Sequence, residues 1–319
     1  MTEPTYIPLR LHTEFSITDG MVRIKKLIAK AQEYGLPALG ISDLMNEFGL
    51  VKFYKACRGA GIKPIGAADV WIGNPNAPDK PFRAMLIIRN DAGYLRLSEL
   101  LTEAYVGKDR NVHHAELNPE WLENGDNSGL ICLSGAHYGE VGVNLLNGNE
   151  DAARAAALKY AAWFPDAFYL ELQRLPERPE WEACVSGSVK LAEELGLPVV
   201  ATHPTQFMSS DDFNAHEARV CIAGGWVLTD KKRPRDFTPS QFFIPTETMA
   251  ERFADLPEAL ENTVEIAKRC NLHITLGKNF LPLFPTPDGL SLDDYLVKLS
   301  NEGLQERMVQ LYPDEAERA

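Results

Sequence analysis

Short apolar runs alternate with amphipathic segments along most of the chain. Between the runs, apolar residues recur at three- and four-residue steps, as in Ile24, Leu27, Ile28 and Ala31, which is typical of helices. Strands that are apolar throughout and separated by helices predict a parallel sheet buried on both faces. Seven such units favour a closed barrel, and an open doubly wound sheet is the alternative. The predicted strands are Tyr6 to Leu11, Pro37 to Ser42 closing on Asp43, Ile62 to Ile72, Ala84 to Ile88, Leu130 to Leu133, Phe168 to Leu172 and Pro198 to Thr202.

The pattern changes near residue 280, where three prolines within residues 280–287 indicate a stiff, extended linker. Beyond it, Leu292, Tyr295, Leu296 and Leu299 form the apolar stripe of one more helix that has little left to pack against. We therefore expect a barrel domain over residues 1–279, followed over residues 280–319 by a linker and the first helix of a truncated further domain.

Composition and charge narrow the classes of function. The five cysteines are scattered with no C-x-x-C pair, which favours a reducing, cytoplasmic environment. The net charge of −13 argues against direct nucleic-acid binding, because phosphate neutralisation needs clustered Lys and Arg. No apolar run approaches the roughly 20 residues of a membrane span, so no membrane association is expected.

Polar side chains follow most of the predicted strands. In a parallel barrel the carboxyl ends of the strands meet at one rim, so these side chains converge there. A His/Asp/Glu set at that rim could bind two or three divalent ions and activate water for phosphoester hydrolysis. The alternative is that such residues satisfy loop backbone groups and each other. The set consists of Arg10, His12, Asp43, Asp69, His137, Glu171, Gln173, His203 and Gln206.

The order and spacing of several segments resemble the PHP (polymerase and histidinol phosphatase) domain, in the version at the N-terminus of bacterial DNA polymerase III alpha subunits. The resemblance covers essentially the whole chain. It implies a distorted seven-stranded (β/α)7 TIM-like barrel, the PHP fold, with a short C-terminal helical extension. The matching segments are residues 9–20, 41–43 with Asn46, 48–54, 61–66, 170–172, 196–202, 212–217 and 280–285.

Departures from the family pattern fall on the metal ligands. Metal-binding members open with His-x-His, where this chain has Arg10-Leu11-His12, and their Thr-Asp-His becomes Ser42-Asp43-Leu44. The third-strand Glu becomes Asp69, and the family's Asn-Asp-x-His becomes His203-Pro204-Thr205-Gln206. The resemblance thus implies a degenerate metal site with no metal ligand set and no catalytic residue. Its vestigial positions are Arg10, His12, Asp19, Asp43, Leu44, Asp69, Pro204 and Gln206.

A permanent cation at position 10 would lie where a dication lies in metal-binding members. We hypothesise that Arg10 replaces the metal structurally by pairing with Asp19, Asp43 or Asp69.

The resemblance also implies a function. The full-length polypeptide would be a DNA-directed DNA polymerase, a nucleotidyltransferase of chromosomal replication that uses Mg²⁺ in a palm domain beyond residue 319. This fragment would need no cofactor and would act as a platform for the proofreading exonuclease (epsilon) subunit, with the other polymerase domains in cis. The alternative is a residual metal-dependent phosphoesterase, a pyrophosphatase or an exonuclease, at the barrel mouth. A third interpretation is a free-standing phosphatase of the histidinol-phosphatase kind.

Overall fold

A computed structural model describes residues 4–279 and 281–318, without the side chains of residues 288 and 317. The chain divides into two compact units, Met1–Ile274 and Thr275–Ala319. The first unit carries the sheet. Phe280 of the expected linker lies outside the described residues.

The first unit is an α/β structure around one six-stranded sheet, whose strands are neighbours in chain order. Six of the apolar runs form these strands, and the bounds of β4 (Leu130–Leu133) and β5 (Phe168–Leu172) are those predicted. Every residue of β4 and β5 is buried, as expected for strands covered on both faces. The strands are β1 (Ala38–Leu44), β2 (Lys63–Ile72), β3 (Phe82–Ile88), β4 (Leu130–Leu133), β5 (Phe168–Leu172) and β6 (Val199–Ala201).

The direction of β3 differs from the prediction of an all-parallel sheet, which was wrong at this strand. β3 runs antiparallel to β2, with Ala67 opposite Ile87, and antiparallel to β4, with Met85 opposite Leu133. Only residues 73–81 connect β2 to β3. A parallel crossover needs about a dozen residues or more, so this short loop turns the chain back on itself. The β1–β2, β4–β5 and β5–β6 pairs are parallel.

The first predicted strand, Tyr6 to Leu11, is an extended segment without a regular ladder. The backbone N–H of Gly40 donates to Pro8 O at 2.7 Å, and that of Ser42 donates to Leu11 O at 2.9 Å. Pro8 has no N–H to continue the ladder. The segment lies so close to β1 that a Cβ at position 40 would meet Leu9 O at 2.3 Å, which explains the glycine there. The expected count of seven strands is therefore not confirmed.

Helices surround the sheet. The apolar face predicted for α1 (Ile24–Glu33) is buried and consists of Ile24, Leu27, Ile28 and Ala31. The short helices α4 (Pro119–Glu123), α5 (Glu140–Leu146) and α9 (Thr246–Arg252) were not predicted, because five to seven residues carry little periodic signal. The helices are α1 (Ile24–Glu33), α2 (Leu50–Gly59), α3 (Asp91–Val106), α4 (Pro119–Glu123), α5 (Glu140–Leu146), α6 (Glu150–Trp163), α7 (Glu182–Leu195), α8 (Phe213–Gly224), α9 (Thr246–Arg252) and α10 (Pro257–Arg269).

The second unit consists mainly of α11 (Leu292–Leu311), followed by the single turn α12 (Glu315–Arg318). Ser291 caps α11 by accepting a hydrogen bond from the backbone N–H of Asp294. The helix predicted from the Leu292 stripe is confirmed. Leu292, Leu296 and Leu299 of the stripe are exposed. Among the described residues, no helix is long and apolar enough to cross a bilayer.

Candidate functional site

A cavity of about 410 Å³ in the first unit collects most of the residues that the sequence singled out. Its floor is formed where the segment around Arg10 and the ends of β2 and β5 meet, and the chain after α8 contributes to its wall. Asp43 does not line it. The positions predicted to be vestigial that do line it are Arg10, His12, Asp19, Leu44, Asp69, Pro204 and Gln206.

Arg10 is buried on this floor and pairs with two carboxylates. Its Nε donates to Glu171 Oε1 at 2.7 Å and its Nη2 to Glu171 Oε2 at 2.9 Å, while Nη1 donates to Asp69 Oδ2. Burial alone would lower the pKa of Arg10, but the two carboxylates outweigh it and raise that pKa further. Asp69 was one of the three partners proposed from the sequence. Glu171 was recognised only as a polar strand end, and its pairing with Arg10 was missed.

His12 is held between two carboxylates. Its Nδ1 lies 2.8 Å from Asp19 Oδ1 and its Nε2 lies 3.0 Å from Asp69 Oδ2, so both nitrogens donate when the ring is protonated. Burial would lower the pKa of His12, but Asp19 and Asp69 raise it to about 9. The protonated ring in turn holds the pKa of Asp19 below its usual range, against the effect of burial. His12 is therefore a cation at neutral pH.

Asp69 Oδ2 is shared by three cationic side chains, since Arg83 Nη2 joins Arg10 and His12 there. Burial would raise the pKa of Asp69, but Arg10 and Arg83 hold it well below its usual range. Arg83 was not predicted as a site residue. It lies on β3 opposite Trp71 of β2, and a charged residue inside an otherwise apolar run is the signal that could have found it. With Asp19 and with Glu171, which pairs with Arg10 but does not line the cavity, the cluster has three cations and three carboxylates.

Asp43 serves a different purpose from Asp69. Its Oδ1 accepts from the backbone N–H of Thr13 at 2.7 Å and from Ser16 Oγ at 2.7 Å, and Thr13 Oγ1 donates to it as well. Burial raises the pKa of Asp43, and the hydrogen bonds from Ser16 and Thr13 oppose this rise. The carboxylate fastens the loop after Leu11 to the end of β1.

The remaining vestigial positions lie at the edge of the charged floor. Leu44 is half-buried and adds apolar surface to the cavity, as does Pro204. Gln206 Nε2 lies 3.3 Å from His12 Nδ1. None of these side chains offers a charged ligand atom.

The donor set does not fit a divalent cation. Arg10 neutralises Glu171 and, with Arg83, Asp69, while both nitrogens of His12 face carboxylates. A dication here would lie beside two guanidinium groups, a repulsion worth several kcal/mol at the low effective dielectric of a partly buried site. Within residues 4–279 and 281–318, no group of three or more His, Cys, Asp or Glu side chains is arranged to hold a metal ion.

The other two rim histidines do not build a replacement site. His203 Nε2 bonds Phe242 O at 2.9 Å, outside the cavity lining, and burial lowers the pKa of His203 to about 3. His137 does line the cavity, packed between Tyr138 and Trp181 with ring centroids 4.0 and 3.5 Å away. Burial and the nearby arginines lower the pKa of His137 to about 3, so this ring is neutral.

An aromatic wall rises above the floor, and sequence reasoning missed it. The Arg83 guanidinium lies over Trp71 at 4.7 Å and over Tyr138 at 5.8 Å. Together with His137 and Trp181 these side chains form a continuous stack along one side of the cavity. Trp226 and Phe237, from the chain after α8, line it as well.

Comparison with known proteins identifies the family. The PHP domain family matches residues 8–175. The chain is 98% identical over 319 residues to DNA polymerase III subunit alpha of Neisseria meningitidis serogroup A, which covers all of this chain and 28% of that relative. It is 46% identical over 318 residues to DNA polymerase III subunit alpha of Escherichia coli K12, covering 100% of this chain and 27% of the relative.

A distant likeness exists among solved structures. An amidohydrolase from Chromobacterium violaceum, solved with sulfate bound and no metal, aligns with a TM-score of 0.35 at 12% identity, over 67% of this chain and 96% of that one. The family match extends over more than half of the chain, and the similarity to the two alpha subunits extends over essentially all of it. The chain therefore belongs to the PHP domain family.

Proposed function

We propose that the chain is the N-terminal PHP part of the alpha subunit of a bacterial replicative DNA polymerase, and that this part is a non-catalytic structural platform. The high identity to alpha subunits over the whole chain supports the assignment to an alpha subunit. The chain spans little more than a quarter of the length of those relatives. In this proposal, DNA-directed nucleotide addition with Mg²⁺ is the work of other domains in cis. We propose a cytoplasmic location, where a bacterial replicative polymerase works.

The proposal that this part is non-catalytic depends on the bidentate pairing of Arg10 with Glu171. Arg10 also donates to Asp69. Carboxylates that share a hydrolytic site normally keep open coordination positions for an ion and its water. Here a guanidinium fills the equivalent space with fixed geometry. The floor then stabilises the fold and performs no hydrolysis.

We further propose that the segment before His12 completes the barrel as its seventh member. It bonds β1 on one side through Pro8 O and Leu11 O, and the backbone N–H of His12 donates to Thr205 O at 3.0 Å on the other side. An isolated parallel bridge between Leu11 and Thr205 supports the same closure. The Arg10 side chain then fastens this segment to β5 across the cavity.

The proposed partner is the proofreading exonuclease subunit, with the other polymerase domains in cis. The net charge of −13 suits a protein surface better than the phosphate backbone of DNA. A pull-down of purified exonuclease subunit with the chain tests this. Retention that persists at physiological salt is expected, and absence of binding at micromolar concentration contradicts the platform role.

Metal analysis tests the non-catalytic proposal. The purified chain is dialysed against buffer with and without manganese, and bound metal is measured by inductively coupled plasma mass spectrometry. Substoichiometric metal and no hydrolysis of pyrophosphate or of a phosphodiester chromogen are expected. Near-stoichiometric zinc, manganese or iron, with a hydrolytic activity that His12→Ala abolishes, would establish the phosphoesterase alternative instead.

A further inference from the structure

The connection between α8 and α9 forms one side of the cavity. Residues 225–245, all of which the structure describes, make this connection without a helix or a strand. Connections longer than roughly 12–15 residues are uncommon in compact domains, and those that occur are often lids or binding loops. The part that lines the cavity is residues 225–237, through Trp226, Arg233, Pro234, Asp236 and Phe237.

The 225–237 segment is weakly anchored to the rest of the first unit. None of its residues is buried, whereas Phe243 and Ile244 farther along the connection are. Its apolar side chains face solvent, since Trp226 and Val227 are 40% and 67% exposed. Among the described residues, no hydrogen bond between backbone groups involves residues 231–237. Few buried contacts and exposed backbone groups are typical of a region that opens at a low cost in free energy.

Two arginines hold the segment in place. Arg233 Nη1 donates to Glu217 Oε2 of α8, and the two side chains are only 9% and 6% exposed. Arg178 Nη2 donates to Arg235 O at 2.6 Å. Removal of one partner from a buried ion pair is strongly unfavourable, because the other charge is left without compensation. The pair of Arg233 and Glu217, which we call the latch, therefore favours the position of the segment seen in the structure.

The segment begins at two glycines that can serve as a hinge. Gly224 ends α8, and Gly225 has φ 69°, in the left-handed region that glycine adopts without strain. At the other end the Phe237 ring packs edge-on against His216, with ring centroids 4.6 Å apart. Rotation about the glycines would therefore move the part of the cavity wall that precedes Phe237.

We propose that residues 225–237 form a hinged lid over one side of the cavity, and that release of the latch opens it. Opening widens the mouth, at which Tyr138 is already 39% exposed, and gives solvent access to Cys221 on the cavity wall. With the latch formed, Cys221 is 4% exposed. The lid controls entry to the cavity whether or not the chain serves as a platform for another subunit.

Alkylation of Cys221 reports the opening. The 319-residue chain is treated with iodoacetamide under native conditions, and the modified sites are quantified over time by peptide mass spectrometry. Slow alkylation of Cys221 is expected, and a rate equal to that of a free thiol contradicts a closed lid. The other cysteines are buried outside the cavity lining and serve as internal controls, namely Cys57, Cys132, Cys184 and Cys270.

Arg233→Met removes the latch and keeps most of the side-chain length. Cys221 is expected to react about tenfold faster, the effect of roughly one hydrogen bond to a charged group, and the other cysteines at their former rates. The Arg233 cation attracts a Cys221 thiolate, so its removal alone would slow the reaction, and a faster reaction reports access. An unchanged or slower rate overturns the proposal. An equal rise at all five cysteines overturns it too, because the whole first unit would then have opened.

Limited proteolysis gives a second measurement that does not depend on the thiol. Arg233→Met combined with Glu217→Gln removes the latch without leaving a buried charge unpaired, which spares the fold. Cleavage by trypsin after the exposed Lys231 is expected to be faster in this double variant than in the unsubstituted chain. The control is Arg154→Met, which removes a surface ion pair with Glu194 and should change neither alkylation nor cleavage. Equal cleavage rates in the double variant and the unsubstituted chain contradict the latch.

Discussion

The guanidinium of Arg10 faces the carboxylate of Glu171 through two parallel hydrogen bonds, Nε to Oε1 at 2.7 Å and Nη2 to Oε2 at 2.9 Å. The pair joins the first extended segment of the chain to β5 and is shielded from water. Such a fork has the geometry that guanidinium and carboxylate favour, and a lysine could not reproduce it. Further support comes from the backbone N–H of Gly135, which donates to Glu171 Oε2 at 3.1 Å.

Removing the guanidinium of Arg10 should therefore lower the free energy of unfolding. Arg10→Met leaves the buried Glu171 without its cation and leaves Asp69 with one guanidinium instead of two. We therefore expect a loss of about 3–5 kcal/mol in the free energy of unfolding. Urea denaturation followed by circular dichroism measures this loss. Arg154→Met is the matched control, because Arg154 pairs with Glu194 at the surface and should cost no more than about 1 kcal/mol. Equal losses in the two variants would contradict the structural role given to Arg10.

Protonation of His12 should make stability depend on pH in a defined window. Its pKa is raised from 6.5 to about 9, so the stabilisation is fully present below pH 6.5 and is lost as the pH rises through about 9. For a buried group this shift corresponds to a few kcal/mol at most, to order of magnitude. Denaturation curves of the chain and of His12→Gln between pH 6 and pH 10 measure it. The difference in stability between the two should shrink with rising pH, and a constant difference would contradict a raised pKa of His12 in the folded chain.

Asp43 should act on the loop after Leu11 rather than on the charged floor. Asp43→Leu keeps roughly the size of the side chain but removes both oxygens, so the backbone N–H of Thr13 and the hydroxyl of Ser16 lose the acceptor that they share. We expect faster hydrogen exchange at the amide of Thr13, with a loss of about 1–3 kcal/mol in stability. Exchange at residues of β5 should change only as much as global stability does. Uniform acceleration over the whole first unit, with no excess at Thr13, would contradict this local role.

The strands were largely predictable, and the pairings of the site were not. β4 is an uninterrupted apolar run and β5 is interrupted only by Glu171, so the apolar pattern and its length were sufficient to place them. The apolar pattern of β3 does not encode the direction of the strand. The loop of residues 73–81 before it does indicate an antiparallel strand, because it is too short for a parallel crossover. Glu171 meets Arg10 across 161 residues, and only the curvature of the sheet brings them together. The aromatic wall was missed because its members come from four separate segments of the chain.

The loop that delivers Asp19 to His12 contains a strained residue, which yields a last prediction. Ile17 has φ 66° and ψ −60°, and the backbone N–H of Thr18 donates to Ser16 O at 2.7 Å, which closes a γ-turn of the unfavourable hand. A β-branched residue rarely adopts this conformation, at a cost of about 1–3 kcal/mol. Arg219 holds the turn by donating from Nε to Ile17 O at 2.9 Å.

Glycine relieves this strain, and because the Ile17 side chain is 61% exposed its removal loses little packing. We expect Ile17→Gly to raise the free energy of unfolding by about 1 kcal/mol, after the greater entropy of glycine in the unfolded chain is deducted. Val112→Gly is the control, at an exposed loop residue outside the left-handed region, and should lower stability by roughly 0.5–1 kcal/mol. Urea denaturation distinguishes the signs. A loss in both variants would mean that Ile17 is relaxed and that its side chain contributes to the fold.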